Sequence, residues 1–193
     1  MSDLRVLFPV FLDLKGKIVL VVGAGIVATR KIDELAAMGA TLRVVAPRVT
    51  VEIEARASAG ELTLERRAFA ERDVDGAWFV VASTDDAEAQ RAVADACERA
   101  RVFCIAVDDP PNASAYGGGV VRRGPVTIAI STSGEAPAVA RLLRELLEQV
   151  LPDEDYLDAA RALREKWKAD KTPMASRFGE LVQAFKERSS PKA

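Results

Sequence analysis

Residues 17–48, KIVLVVGAGIVATRKIDELAAMGATLRVVAPR, decide the fold. Ile18–Val22 is a continuous apolar run, the pattern of a strand covered on both faces. Gly23-Ala24-Gly25-Ile26-Val27-Ala28 then reads G-x-G-x-x-A. In such a turn the first glycine permits the tight bend and the second lets the backbone approach a pyrophosphate. The small alanine lets helix and strand pack closely. Residues 26–38 have helical spacing and stop at Gly39, and residues 41–46 form a second apolar, β-branched run. A strand, glycine turn, helix and strand in this order predict nucleotide binding at Gly23 and Gly25. An ordinary glycine turn is the alternative.

The second strand ends in Ala46-Pro47-Arg48, where a dinucleotide site often places an acid on the ribose hydroxyls. Arg48 could meet a 2′-phosphate instead, or be a solvated surface arginine.

Outward from this unit, strands and helices alternate. Residues 50–59 read as a helix, 62–66 as a strand and 77–82 (AWFVVA) as a buried strand. Residues 86–100 are helical, with Ala89, Val93 and Ala96 on one face, and 102–107 are a strand. The alternation predicts an α/β parallel sheet with right-handed crossovers. Residues 108–125 are rich in Pro, Gly, Asn and Ser and read as irregular. A strand is expected at 126–131, then a helix start at STSGEAP with a hydroxyl cap and Pro137 in its first turn. Val139, Leu142, Leu143, Leu146, Leu147 and Val150 make a broad stripe on that helix. A break follows at LPDEDY, then helices at 155–168 and 176–188 and a frayed tail, SSPKA.

Composition narrows the chemistry. The 193 residues suit one domain with a small appendage, and a net charge of −2 gives no bias toward nucleic acid or anionic membranes. Cys97 and Cys104 read as reduced core residues. With no apolar leader and no run long enough to span a bilayer, a cytoplasmic protein is expected. There is no histidine, which excludes Ser-His-Asp and Cys-His catalysis and every His-ligated metal. No metal site is expected.

Three further places could carry chemistry. Thr84 and Asp85 follow the 77–82 strand and could contact a nucleotide, or cap the next helix. Asp108 follows the 102–107 strand and could be a general acid or base, a metal ligand or a turn cap. Thr132, Ser133 and Gly134 open a helix whose backbone donors suit a carboxylate or phosphate. Arg122, Arg123, Arg141 and Arg144 lie nearby in sequence.

Taken together, FPVFLDLKGKIVLVVGAGIVATRK, GATLRVVAPR, VVASTDDAEAQRAV, VFCIAVDDP and TIAISTSGEAPAVARLLRELLE resemble one family, in order, over residues 8–148. It is the precorrin-2 dehydrogenase / sirohydrochlorin ferrochelatase family, the siroheme synthase N-terminal module. The resemblance implies an NAD-binding Rossmann domain (1–112), a dimerisation region (113–150) and a small helical C-terminal domain (151–193). It implies a homodimer that oxidises precorrin-2 to sirohydrochlorin with NAD+, and in many members then inserts Fe2+.

The family's key aspartate matches Asp108, expected to act as a base toward the macrocycle or to guide iron. Nucleotide contacts match Ile26, Val27, Pro47 and Arg48. The family's second strand also lacks the ribose acid, which favours NAD+ over the NADP reading of Arg48. The substrate is rich in carboxylates, so Thr132, Ser133, Gly134 and Arg141 are its expected docking groups. Three positions depart from the family. Ile105 stands for an Asn, Gln90 for another Asn, and Ala115-Tyr116-Gly117-Gly118-Gly119 for F-I-x-P-A. No methyltransferase domain follows, so precorrin-2 is expected from a separate enzyme. Two competing readings are a dimeric NAD(H)-sensing regulator and an unrelated small-molecule dehydrogenase.

Overall fold

The computed structural model describes residues 6–151 and 155–189. The expected break at 152–154 and nearly all of the expected frayed tail lie outside the described residues.

Five parallel strands make the main sheet: β1 (Ile18–Val22), β2 (Thr41–Val45), β3 (Thr63–Glu65), β4 (Phe79–Ala82) and β5 (Phe103–Ala106). Their order is β3-β2-β1-β4-β5, so the winding reverses between β1 and β4. In open α/β sheets ligands bind outside the carboxyl ends of the strands at such a reversal.

Alternate residues of each strand feed two cores, because successive side chains point to opposite faces. Val19, Val21, Val44 and Val81 pack with Ala28, Ile32 and Leu35 of α1 (Ile26–Ala37) and Ile53 of α2 (Val51–Ser58). Leu20, Val22, Val45, Val80 and Ala82 pack with Val93, Ala96 and Cys97 of α3 (Ala87–Ala100). Burying one such Val or Leu contributes about 1.5–3 kcal/mol, so a one-residue slip of β1 would disrupt both cores. Cys97 and Cys104 are buried free thiols in the second core. The neighbouring Cys104 thiol and burial push Cys97 well above the ordinary thiol range.

The inner face of α3 is not quite the expected one. Gln90, Val93, Ala96 and Cys97 are buried, and Ala89 is only half-buried.

The expected irregular stretch contains a strand. β6 (Gly119–Arg123) pairs antiparallel with β7 (Val126–Ile130), closing at Arg123↔Val126. The two turn residues are Gly124, with φ of 54°, and Pro125. Positive φ at the first central position is the type II′ pattern that suits the twist of a hairpin. Gly118 and Gly119 are needed by close approaches. A Cβ on Gly118 would lie 2.0 Å from the Ile130 carbonyl oxygen, and one on Gly119 would lie 3.2 Å from that of Ala140. Ala140 belongs to α4 (Pro137–Val150), which packs on this hairpin. The N-cap of α4 is Ala136 with no side-chain cap bond, where a hydroxyl cap was expected. The Thr132 hydroxyl accepts from the Ala136 N–H at 3.3 Å instead.

The chain closes with an antiparallel pair, α5 (Asp155–Ala169) and α6 (Met174–Ser189). Tyr156 meets Phe185 edge-on, and Trp167 Nε1–H donates to Glu180 at 2.8 Å. Among the described residues there are two compact units. One holds the chain through Gly117 together with Ser133–Glu135. The other holds Gly118–Thr132 and the chain from Ala136 on. No helix among the described residues is long and apolar enough to cross a membrane.

Candidate active site

The carboxyl edge of the parallel sheet carries most of the candidate residues. The Gly23 N–H donates to the Val45 carbonyl at 2.9 Å, the Ser83 N–H to Val22 at 2.8 Å and the Val107 N–H to Ala82 at 2.9 Å. The turns after β1, β4 and β5 therefore leave the sheet at one level. With strands about 4.8 Å apart, the Gly23 and Asp108 turns are separated laterally by about 10 Å.

Gly23 has φ of 108°, and a Cβ there would lie 2.0 Å from the Ser83 carbonyl oxygen. The fold itself requires that glycine. Gly25 differs. Its backbone is extended, and a Cβ on it would meet nothing within 4 Å. No side chain caps α1 there and no acid stands in its first turn, so the first-turn N–H groups have no side-chain acceptor. Space above Gly25, uncapped donors and a helix N-terminus fit a pyrophosphate. Ile26 is 73% exposed and Val27 45%, apolar side chains unburied beside that space. Ala28 is fully buried at the helix–strand contact.

Pro47 and Arg48 are exposed beyond β2, and Arg48 has no ion pair or hydrogen bond among the described residues. The Thr84 hydroxyl accepts from the Asp86 N–H at 3.3 Å. Asp86 is the cap of α3, accepting from Glu88 and Ala89. That leaves Asp85 exposed and free of the capping task.

Asp108 is exposed in the turn after β5 with φ of 57°, a left-handed conformation unusual for a side chain other than Gly or Asn. A 3-10 turn, Pro110–Asn112, follows, braced by Asn112 on Asp109 at 2.7 Å and by the Tyr116 hydroxyl on the Pro110 carbonyl at 3.1 Å. Ser133 (φ 53°) and Gly134 (φ 84°) fold back to this segment, a Cβ on Gly134 reaching 3.8 Å from Pro110 Cγ. Ser133 and Gly134 thus join Asp108 in one unit, while Thr132 and Arg141 belong to the other. Arg141 Nε donates to Glu145 at 2.8 Å, one turn along its own helix. Among the described residues no cluster of acids and thiols is placed to hold a metal ion.

One residue carries more than its sequence position showed. Gln90 is buried, and its Nε2 donates to the Val107 carbonyl at 3.1 Å, just before Asp108. The available signal was its spacing from Val93 and Cys97, a polar residue in the apolar stripe of α3.

Residues 10–119 match the family model described as "Putative NAD(P)-binding", and residues 123–149 match that for the sirohaem biosynthesis protein central segment. The chain belongs to the sirohaem-biosynthesis NAD(P)-binding family. Among relatives in this family, the siroheme synthase of Photorhabdus laumondii is 38% identical over 182 residues, covering 93% of this chain and 39% of that protein. Siroheme synthase 3 of Aeromonas hydrophila is 42% identical over 171 residues, covering 88% and 36%. The chain thus spans less than half the length of these siroheme synthases. A solved structure, SirC, precorrin-2 dehydrogenase, superposes with a TM-score of 0.72 at 26% identity, over 92% of this chain and 88% of that one. A nicotinamide dinucleotide is the cofactor class of the family, and the turn at Gly23 and Gly25 has the shape for it.

Proposed function

We propose that the chain oxidises precorrin-2 to sirohydrochlorin with NAD+, in siroheme biosynthesis. One observation carries this reading. Asp108 is held in a left-handed turn at the carboxyl edge of the sheet, two strands from a glycine turn whose second glycine the fold does not need. The oxidation takes one hydride and one proton from the macrocycle and gives sirohydrochlorin, NADH and H+. A bound nicotinamide supplies the hydride acceptor.

The chain's own residues bind, orient and move the proton. Backbone N–H groups at Gly25, Ile26 and Val27 hold the pyrophosphate, and Gly23 shapes their turn. Pro47 and Arg48 flank the ribose, and Thr84 and Asp85 approach the nucleotide from the end of β4. NAD+ is assigned over NADP+ because the Ala46-Pro47-Arg48 ending resembles a family that holds NAD+ without a ribose acid. The Asp108 carboxylate takes the proton. Thr132, Ser133, Gly134 and Arg141 are assigned to the substrate's carboxylates. The ion pair of Arg141 with Glu145 is exposed and weakly held, so it yields to a better anion.

A homodimer is assigned as well, through residues 113–150, with 151–193 as a helical domain. Val139, Leu142, Leu143, Leu146 and Val150 stand exposed along one stripe of α4. The free buried thiols suit a reducing, cytoplasmic setting.

Asp108→Ala tests the central assignment. NAD+ affinity measured by calorimetry should stay within about twofold, while anaerobic turnover falls by about 10²–10⁴-fold. Turnover at the wild-type rate would remove Asp108 from the chemistry. Sirohydrochlorin supplied with Fe2+ as substrate tests the second reaction separately.

A further inference from the structure

Among the described residues three polar side chains are buried: Thr29, Asp73 and Gln90. Thr29 bonds the Gly25 carbonyl, and Asp73 pairs with Arg67. Gln90, 4% exposed, spends one donor on the Val107 carbonyl and leaves its Oε1 buried without a partner. Exchanging the amide's oxygen and nitrogen would set oxygen against oxygen, so that one bond fixes its orientation. A buried orphan acceptor is costly and rare in folded proteins. An apolar side chain of the same length would pack there without it.

The carbonyl that Gln90 holds sits inside the Asp108 turn. The Asp109 N–H donates to the Ala106 carbonyl at 3.4 Å, so Val107 and Asp108 are the central residues of a β-turn. Asp108 has positive φ and Val107 does not. That is the type II pattern, which ordinarily wants Gly or Asn at its second central position. A type II turn differs from the commoner type I by a flip of the peptide between the two central residues. The carbonyl carried across by that flip is that of Val107.

We propose that Gln90 is a positioning residue. Its amide selects the type II turn and so fixes the direction in which the Asp108 carboxylate leaves the chain. The inference rests on the reading of Asp108 as the base. Without the Gln90 donor nothing offsets the left-handed strain at Asp108, and the turn relaxes toward type I with the carboxylate swung away.

The test is anaerobic turnover of precorrin-2 with NAD+ by Gln90→Met, Gln90→Glu and Asp108→Ala. Gln90→Met keeps the volume and loses the donor. Its kcat should fall about 10- to 100-fold, as expected for a reacting group misplaced by about 1 Å, with both KM values and the thermal midpoint close to wild type. Gln90→Glu should be equally slow at neutral pH and recover as pH falls. Its buried carboxyl is readily protonated, and the acid form can again donate to the Val107 carbonyl. Gln90→Met should show no such recovery. A wild-type kcat in Gln90→Met, a loss confined to KM or to folding, or a Gln90→Glu pH profile like wild type would each overturn the proposal. Should Gln90→Met not fold, the Gln90→Glu profile decides. If Asp108→Ala turns over at the wild-type rate, the base assignment itself has failed. If it is inactive while Gln90→Met is normal, only the positioning role has failed.

Discussion

Gly23 and Gly25 stand two residues apart and are glycines for different reasons. Gly23 answers to the protein, through its positive φ and the Ser83 carbonyl against it. Gly25 answers to something outside the chain, since a Cβ there has open space and ordinary backbone angles. The motif marks both positions alike, and only the three-dimensional contacts separate them. Gly23→Ala should destabilise by about 2–4 kcal/mol, through overpacking against backbone and a forced left-handed alanine, read by urea unfolding. Gly25→Ala should leave stability unchanged or raised by about 0.4–1 kcal/mol, yet weaken NAD+ binding at least tenfold by calorimetry. At the same scale, the sequence placed Asp108 at a strand end but could not reveal its φ. The cap near Ser83 proved to be Asp86, which a run of two aspartates cannot specify.

At the scale of elements, buried strands were the most legible. β1 and β4 announce themselves as unbroken apolar runs because both faces of a parallel sheet are covered. The short β3 and the edge strand β5 came through with looser ends. β6 was hidden, because its flanking glycines and Pro125 read as loop. In the fold those glycines serve close approaches and Pro125 occupies the hairpin turn, where no ladder N–H is needed. The 3-10 turn Glu71–Val74 was invisible, since four residues carry no period. It is held by Asp73, which binds Arg67 at 2.6 and 2.7 Å and the Ala70 N–H at 2.8 Å. Burial pushes the Asp73 carboxyl up, but the Arg67 guanidinium and the Ala70 N–H outweigh it and hold the group below its ordinary value. A carboxyl lowered in the fold stabilises above its unfolded value, about pH 4, and loses that contribution as pH falls through the folded value. Wild type should therefore exceed Asp73→Asn in urea midpoint at pH 7, and the gap should close below about pH 4. A gap constant down to pH 2 would deny the pair its role.

At the scale of the molecule, the parallel sheet with its glycine turn and Asp108 forms one unit with Ser133–Glu135, and the hairpin with α4, α5 and α6 forms the other. The sequence marked this division as a change of composition after residue 107. It could not show that Ser133–Glu135 return to the first unit, because that depends on a contact with Pro110. The exposed stripe of α4 predicts a homodimer in sedimentation at micromolar concentration. Leu143→Arg with Leu146→Arg should give a folded monomer, and an unchanged dimer would place the interface elsewhere.

The central claim is that this chain passes a hydride from a reduced tetrapyrrole to NAD+. Its most direct measurement is the anaerobic reaction of precorrin-2 with NAD+ and the purified protein, followed at the absorbances of NADH and sirohydrochlorin. Equimolar NADH and sirohydrochlorin, formed only with protein present, is the predicted result. Folded protein that binds NAD+ yet forms neither product would contradict it.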